Sequence, residues 1–186
     1  MKVLVIYAHP DYQNSFANKT ILDEFSKALP DAEIRNIAEL YPGDAPFDLE
    51  TEHKKLIDAD VLIFEFPFWW YSSPSLMHRY MEKVFTRGFA YGEGGAGLQG
   101  TKFILSFTTG GNREAYTKAG YQHYEIQDFM PQFIAMANLT GMPLVDTIVS
   151  YGMVIPDPSD AAYVKQVEDE ARSHGRRLAD AVKKLK

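Results

Sequence analysis

The chain has 186 residues, 46% of them hydrophobic, a length and composition that fit one domain over residues 1–186. Its net charge of −6 argues against nucleic acid as a ligand, and the absence of cysteine excludes disulfides and thiolate catalysis. No apolar run approaches the roughly 20 residues that span a bilayer, and no signal peptide is evident, so we expect a cytoplasmic protein without a transmembrane segment.

Five segments have the composition of β-strands. They are apolar or alternating runs bounded by turn residues, at 3–8, 33–37, 61–66, 102–108 and 144–151. The run at 33–37 alternates between apolar and polar residues, which is typical of a less buried, outer strand. The others read as strands buried on both faces.

Helices are predicted between these strands from apolar residues at three- and four-residue spacing. The first follows Asn14 and Ser15, either of which is a good N-cap, and ends at Pro30. Others are expected at 49–58, after Pro74, at 129–139 and at 160–185, with loops at 41–48 and 92–100. Strands that alternate with helices predict an α/β fold with a parallel sheet covered on both faces.

Three loops follow strands of this sheet, where ligands bind in open α/β folds. The loop at 9–18 combines a histidine with a helix N-terminus that suits a phosphate, the loop at 67–71 carries large aromatic rings, and the loop at 108–116 begins Thr-Thr-Gly-Gly. Alternatively, these are a capped helix with a solvated His9, an aromatic core edge and an ordinary turn. Together they could hold a phosphate, a flat ring and its polar rim, which are the parts of flavin mononucleotide (FMN).

Several other patterns do not support a site. The segments 92–97 and 95–100 satisfy G-x-G-x-x-G, but a helix precedes them and a strand follows, the reverse of a dinucleotide fingerprint. His78 and Glu82 lie one helical turn apart with no third ligand, so no metal site is expected. Ser72 and Ser73 lack an evident His and Asp partner, so serine catalysis has little support.

Five motifs occur in order along almost the whole chain: Tyr7-Ala8-His9-Pro10, Ser15-Phe16-Ala17-Asn18, Pro67-Phe68-Trp69-Trp70-Tyr71, Phe89-Ala90-Tyr91 and Thr108-Thr109-Gly110-Gly111. This set resembles the NAD(P)H:quinone oxidoreductase family with a flavodoxin-like fold. Its short bacterial members, including the ancillary oxidoreductases of glutathione-gated potassium efflux systems, are the most similar.

The resemblance implies a three-layer sandwich with a five-stranded parallel sheet in the order 2-1-3-4-5. It also implies a homodimer that binds a flavin, takes hydride from NADH or NADPH, and reduces a quinone by two-electron, ping-pong turnover. The implied contacts at the phosphate end are His9, Ser15, Phe16, Ala17 and Asn18. Those along the isoalloxazine are Phe68, Trp69, Trp70 and Tyr71. Those at its N1–O2 side are Thr108, Thr109, Gly110 and Gly111.

The implied catalytic residues are Tyr116, His123, Gly110 and Gly111. Tyr116 matches a family tyrosine, whereas the position of the family histidine falls on Gln122, with His123 one residue away. The length favours FMN, although FAD also occurs in short members. Two other functions stay open: a regulatory subunit of a potassium efflux antiporter, and an electron carrier of the flavodoxin type, although the loop at 9–18 is not the Ser/Thr-rich phosphate loop of that class.

Overall fold

Five parallel strands form the central sheet of the computed structural model, which describes residues 1–154 and 159–185. The strands are β1 (Val3–Tyr7), β2 (Glu33–Asn36), β3 (Val61–Pro67), β4 (Lys102–Thr108) and β5 (Leu144–Ser150). They are ordered β2-β1-β3-β4-β5, so the predicted flavodoxin-like order is confirmed. The chain adds β2 on one side of β1 and β3, β4 and β5 on the other, so the winding changes direction at β1. The carboxyl ends of β1, β3 and β4 therefore surround one crevice.

Helices cover both faces of the sheet, as parallel connections require. They are α1 (Ala17–Ala28), α2 (Ile37–Leu40), α3 (Leu49–Asp58), α4 (Ser75–Val84), α5 (Pro131–Thr140) and α6 (Ala161–Lys183). Helices α1 and α6 pack together on one face, and α3, α4 and α5 cover the other. Among the described residues, none of these helices combines the length and apolar character needed to cross a membrane.

Alternate residues of the central strands supply two separate cores. Val5 of β1 packs beside Phe25 of α1 and Leu178 of α6, whereas its neighbour Ile6 packs in the core that contains Tyr80 and Phe133. Successive side chains of a strand point to opposite faces, so a sheet covered on both sides needs apolar residues at every position. A fully buried side chain of this size stabilises the fold by about 1.5–3 kcal/mol.

The predicted N-cap of α1 is wrong. The helix begins at Ala17 after Phe16, and no side chain caps it. The Asn14 amide instead donates to the Asp11 carboxylate at 2.8 Å, and the Ser15 hydroxyl is buried. Neither side chain caps the helix, so the amino end of α1 stays open.

Two other helix boundaries differ from the sequence prediction. Helix α5 begins at Pro131 rather than at residue 129, because proline suits the first helical position, where no N–H partner is needed. A 3₁₀ turn precedes it at Ile126–Phe129, held by reciprocal hydrogen bonds of Glu125 and Asp128. Helix α4 precedes 92–100 and β4 follows it, so the predicted order of elements around this segment is confirmed.

Candidate functional site

A cavity of about 410 Å³ opens at the carboxyl ends of β1, β3 and β4. Residues from the three loops singled out in the sequence line it, and Met153 and Val154 from the loop after β5 add a fourth side. Mostly apolar walls with a few convergent polar groups are typical of a cofactor or small-molecule site. The structure thus joins at one place the loops that the sequence treats separately.

A larger and more open groove of about 810 Å³ runs along α6 past Arg113, Tyr151 and Lys165. Its polar groups already have partners, because Lys165 pairs with Asp169 at 2.9 Å and the Arg113 guanidinium lies over the Tyr151 ring. The amino end of α6 beside it is capped by the Asp160 side chain, which accepts from the Tyr163 backbone N–H at 3.0 Å. We therefore assign the functional site to the smaller cavity.

The first wall of the cavity is the amino end of α1. Its first turn contains no acidic residue and no capping side chain, so its free N–H groups and the positive end of the helix dipole lie at the cavity. The Ser15 hydroxyl in the same wall is buried near the Tyr7 hydroxyl, and no described residue gives it a hydrogen bond of ordinary geometry. Because Ser15 lines the cavity, its hydroxyl is available to a ligand there, and this set of donors fits a phosphate.

His9 contributes a neutral donor to this wall. The Asp11 backbone N–H donates to His9 Nδ1 at 3.0 Å, so Nδ1 is unprotonated and the ring proton is on Nε2. Burial lowers the pKa of the His9 imidazole below its usual range. His9 therefore offers an N–H group at neutral pH and no fixed positive charge.

The second wall is aromatic and follows β3. Phe68 is buried, Trp69 is half exposed, and both line the cavity. The Phe68 N–H donates to the Thr108 carbonyl at 2.7 Å, which fixes this wall to the end of β4. A flat ring entering the cavity would meet these aromatic faces.

Trp70 and Tyr71 lie outside the cavity at the tip of a tight turn. Trp69 and Ser72 exchange backbone hydrogen bonds at 2.8 and 3.1 Å, and the two residues between them have φ of 49° and 64°. Such left-handed conformations cost on the order of 1 kcal/mol each in residues other than glycine. The turn holds Trp70 with 84% of its surface exposed and stacks Tyr71 on Phe129, with ring centroids 5.5 Å apart.

The third wall comes from the loop after β4. Thr108 and Gly110 line the cavity, whereas Thr109 and Gly111 hold the loop in shape. The Thr109 hydroxyl donates to the Gly111 carbonyl at 2.8 Å. A side chain at Gly111 would press on Tyr116 and Tyr121, with contacts of 3.1 and 3.0 Å from its first carbon.

The implied acid–base residues lie near the aromatic wall rather than in the cavity lining. Tyr116 is buried against Phe68, with ring centroids 6.3 Å apart, and burial raises the pKa of its phenol to about 12. His123 is exposed in a left-handed conformation with φ of 58°, and Gln122 beside it is half buried. The structure places neither Gln122 nor His123 against the cavity.

The aromatic turn contains a serine–histidine contact. Ser72 does have a histidine partner, because its hydroxyl lies 2.9 Å from His78 Nε2. Helix α4 begins directly after the turn and brings His78 back toward Ser72, a proximity that sequence separation conceals. No carboxylate hydrogen-bonds to His78 within residues 1–154 and 159–185, and the same residues contain no cluster of three metal-ligating side chains.

Sequence analysis missed a buried carboxyl directly behind the first wall. Glu65 of β3 is fully buried and accepts a hydrogen bond from the Asn18 amide at 2.8 Å. Asn18 lines the cavity, and its Oδ1 accepts from the Thr108 hydroxyl at 3.4 Å. A lone glutamate inside the apolar run at 61–66 was the available signal, since such a run leaves no solvated position for a charge.

Comparison with known proteins agrees with this architecture. The family model described as a flavodoxin-like fold matches residues 1–174. The chain is 38% identical over 124 residues to the glutathione-regulated potassium-efflux system ancillary protein KefF of Enterobacter sp. (strain 638), covering 67% of this chain and 69% of the relative.

Two solved structures superpose along almost the full chain. One is general stress protein 14 of Treponema denticola in complex with FMN, 25% identical with a TM-score of 0.84, covering 97% of this chain and 99% of that one. The other is an NADPH-quinone reductase of P. pentosaceus, 26% identical with a TM-score of 0.73, covering 94% and 98% respectively.

Proposed function

This chain belongs to the flavodoxin-like family and is a flavoprotein oxidoreductase, and from that premise we propose that it is an FMN-dependent NAD(P)H:quinone reductase. One observation carries the proposal. A single cavity combines an uncapped helix N-terminus, a buried Ser15 hydroxyl and an aromatic wall of Phe68 and Trp69. FMN matches this combination because it joins a phosphate to a flat ring.

The residues present fit FMN at both of its ends. His9, Ser15 and the first turn of α1 would bind the phosphate through neutral donors and the helix dipole. Phe68 and Trp69 would pack against the ring, and the FMN found in the Treponema denticola structure supports this cofactor over FAD. Trp70 and Tyr71 lie at the tip of the turn, outside the cavity, and would contact the ring at the mouth of the cavity.

When bound, the flavin supplies a ring that takes hydride from NADH or NADPH and gives two electrons to a quinone in ping-pong order. The chain positions that ring and excludes water from one of its sides. Gly110 carries no side chain, so its backbone can approach the polar edge of a ring, with Thr108 beside it. Preorganised donors there stabilise negative charge that develops in the reaction.

Tyr116 is proposed to hold a proton near this edge. With a pKa of about 12, its phenol stays protonated at neutral pH and serves as a hydrogen-bond donor. The turn that carries Gln122 and His123 would need to approach the ring for either side chain to assist. Thr109 and Gly111 would keep the loop backbone in place, so that Gly110 and Tyr116 stay near the polar edge of the ring.

A homodimer in the cytoplasm is the proposed assembly. Tyr71 and Tyr124 both pack on Phe129 and remain 44% and 56% exposed, next to the 84% exposed Trp70. Exposed aromatic groups beside a site are typical of a surface covered by another subunit. A monomer at micromolar concentration in light scattering would refute this part of the proposal.

Replacement of one hydroxyl tests the proposed cofactor site. Ser15→Ala should weaken FMN binding about 10- to 100-fold, since a hydrogen bond to a charged group contributes about 1.5–3 kcal/mol. Ser73→Ala is the matched control, because the Ser73 hydroxyl is also buried, with no hydrogen bond of ordinary geometry from a described residue, but lies outside the cavity. Titration of the apoprotein with FMN, followed by flavin fluorescence, measures both.

Activity is tested on the purified holoprotein. NADPH or NADH should be consumed faster when a small quinone is added, and parallel initial-rate lines would support ping-pong turnover. Protein that binds neither FMN nor FAD would overturn the proposed function. Equal losses of FMN affinity in Ser15→Ala and Ser73→Ala would overturn the site assignment only.

A regulatory role at a potassium efflux antiporter is the second candidate, favoured by the similarity to KefF. In that case the protein should bind vesicles that contain the antiporter and not vesicles without it. An antiporter gene adjacent in the genome would support this role, and it is compatible with reductase activity.

A further inference from the structure

Glu65 occupies an unusual position for an acidic residue, in the middle of the sheet and directly behind the cavity. In the strand register it lies between Tyr7 of β1 and Ser106 of β4, and none of its surface is exposed. Its Oε1 accepts from Asn18, whereas Oε2 has no hydrogen-bond partner among the described residues. A buried oxygen without a partner is costly when the group is ionised.

No described group around Glu65 supplies a positive charge. From β1 it faces the Tyr7 hydroxyl, from α1 the Asn18 amide, and from β4 the Ser106 hydroxyl. From α6 it faces His174 at 4.0 Å, where burial lowers the pKa of the imidazole to about 3 and keeps it neutral.

Beyond this shell lie the charges of α6. Arg177 reaches only as far as the Ser150 hydroxyl, at 2.8 Å, where Glu170 also binds. Burial without a countercharge raises the pKa of the Glu65 carboxyl to about 8, and burial raises the pKa of Tyr7 as well. Glu65 is therefore largely protonated at neutral pH. Within this cluster it is the group that loses its proton just above neutral pH.

A directional series of hydrogen bonds connects this cluster to the surface. Ser150 donates to Glu170 at 2.6 Å, so His174 Nδ1 must donate to Ser150 at 2.8 Å. His174 Nε2 then accepts from Ser106 at 2.8 Å, and the single Ser106 proton is committed. Ser106 has no proton left for Glu65, and Oε1 of Glu65 already accepts from Asn18, so Oε2 is the oxygen that carries the carboxyl proton.

The cavity on the other side of Asn18 is bordered by a cation, Lys19, which acts electrostatically on His9 and Asp11. Within residues 1–154 and 159–185, no lysine or arginine lines it, and Asp11 adds a negative charge. A phosphate there carries a charge of about −1.5 to −2 above pH 7. Two negative charges in a poorly solvated region repel strongly, so the ionisation of Glu65 should oppose phosphate binding.

We propose that Glu65 is a positioning residue whose protonation permits FMN to bind: its neutral carboxyl orients the Asn18 amide and removes a negative charge from behind the phosphate. The inference rests on the proposed function, because it concerns the same cavity. FMN binding should therefore take up a proton, and high pH should release the cofactor.

The decisive measurement is the Kd for FMN of the apoprotein between pH 7 and pH 9, compared with riboflavin, which lacks the phosphate. With the free carboxyl titrating near pH 8, Kd for FMN should rise about tenfold over this range, whereas Kd for riboflavin should stay within about twofold. His9 and the phosphate itself both titrate below this window, because the pKa of His9 is lowered by burial.

Glu65→Gln separates the charge from the hydrogen bond. Its amide oxygen can still accept from Asn18 and it cannot ionise, so Kd for FMN should match the wild-type value at pH 7 and remain flat up to pH 9. Glu170→Gln is the matched control at the far end of the hydrogen-bonded series, and it should keep the tenfold rise. A rise that persists in Glu65→Gln, or disappears in Glu170→Gln, would overturn the proposal.

Wild-type protein alone gives a second test, in case Glu65→Gln does not fold. Calorimetry at pH 8 in buffers of different ionisation enthalpy should show uptake of about half a proton with FMN and none with riboflavin. No uptake with FMN would contradict the inference while leaving the proposed function intact. A protein that binds no FMN at any pH would instead refute the proposed function.

Discussion

Two fully buried glutamates, Glu52 on α3 and Glu65 on β3, receive very different support from their surroundings. Glu52 accepts hydrogen bonds from the Arg35 guanidinium and from the Tyr41 and Tyr80 hydroxyls, the latter two at 2.6 and 2.8 Å. Glu65 accepts one hydrogen bond from a neutral amide, and its second oxygen has no partner among the described residues.

This difference corresponds to where the two residues lie. Glu52 of α3 does not line the cavity, and its satisfied carboxylate connects α3 to Arg35 of β2 and Tyr80 of α4. Glu65 lies behind Asn18, which lines the cavity. A Glu65 carboxyl with all of its hydrogen bonds made would not change its protonation when a ligand binds. A buried charge that is fully paired indicates a structural role, whereas one left incomplete beside a cavity indicates function.

Removal of the Glu52 carboxylate should have the largest effect on stability. Glu52→Ala leaves Arg35, only 11% exposed, without its main partner and leaves two tyrosine hydroxyls without an acceptor. We expect a loss of about 3–5 kcal/mol in the free energy of unfolding measured with urea. Glu50→Ala on the exposed face of the same helix should change it by less than about 0.5 kcal/mol; similar losses in both variants would contradict the comparison.

Two tyrosine hydroxyls provide a finer test of the same contrast. Tyr80→Phe removes a donor to Glu52 and should cost about 2 kcal/mol, because hydrogen bonds to charged groups are strong. Tyr7→Phe should cost about 0.5 kcal/mol or less, since the Tyr7 hydroxyl is buried near Glu65 without a hydrogen bond of ordinary geometry. Urea unfolding of both variants decides the question, and a larger loss for Tyr7→Phe would reverse our interpretation.

The sheet could be predicted from sequence because it depends on local composition. The apolar runs of β3 and β4 are long enough, and rich enough in β-branched and aromatic residues, to identify strands without tertiary information. The convergence of three loops then follows from the rule that parallel strands end at the same edge.

The details of the site depend on contacts that sequence patterns do not encode. Ser15 reads as a helix cap, and only the packed structure turns its hydroxyl inward. Trp70 and Tyr71 adopt positive φ without the glycine or asparagine that usually announces such a turn. The proximity of Ser72 to His78 and of Glu65 to His174 likewise requires the fold, the latter across 109 positions of sequence.

An effect smaller than those of Glu52→Ala and Tyr80→Phe is expected in the pH dependence of stability of the apoprotein. The pKa of Glu65 is about 8 in the folded chain and near its ordinary value of 4.5 once unfolded, so the native state keeps a proton that the unfolded chain releases. Stability should therefore be lost as pH rises toward 8, and Glu65→Gln should not share this loss. Between pH 6.5 and pH 8 the difference in unfolding free energy between the two proteins should change by roughly 1.5 kcal/mol in favour of Glu65→Gln. His174 contributes equally to both proteins, so it cancels in the difference, and a difference that stays constant with pH would show that Glu65 is already ionised in the native state.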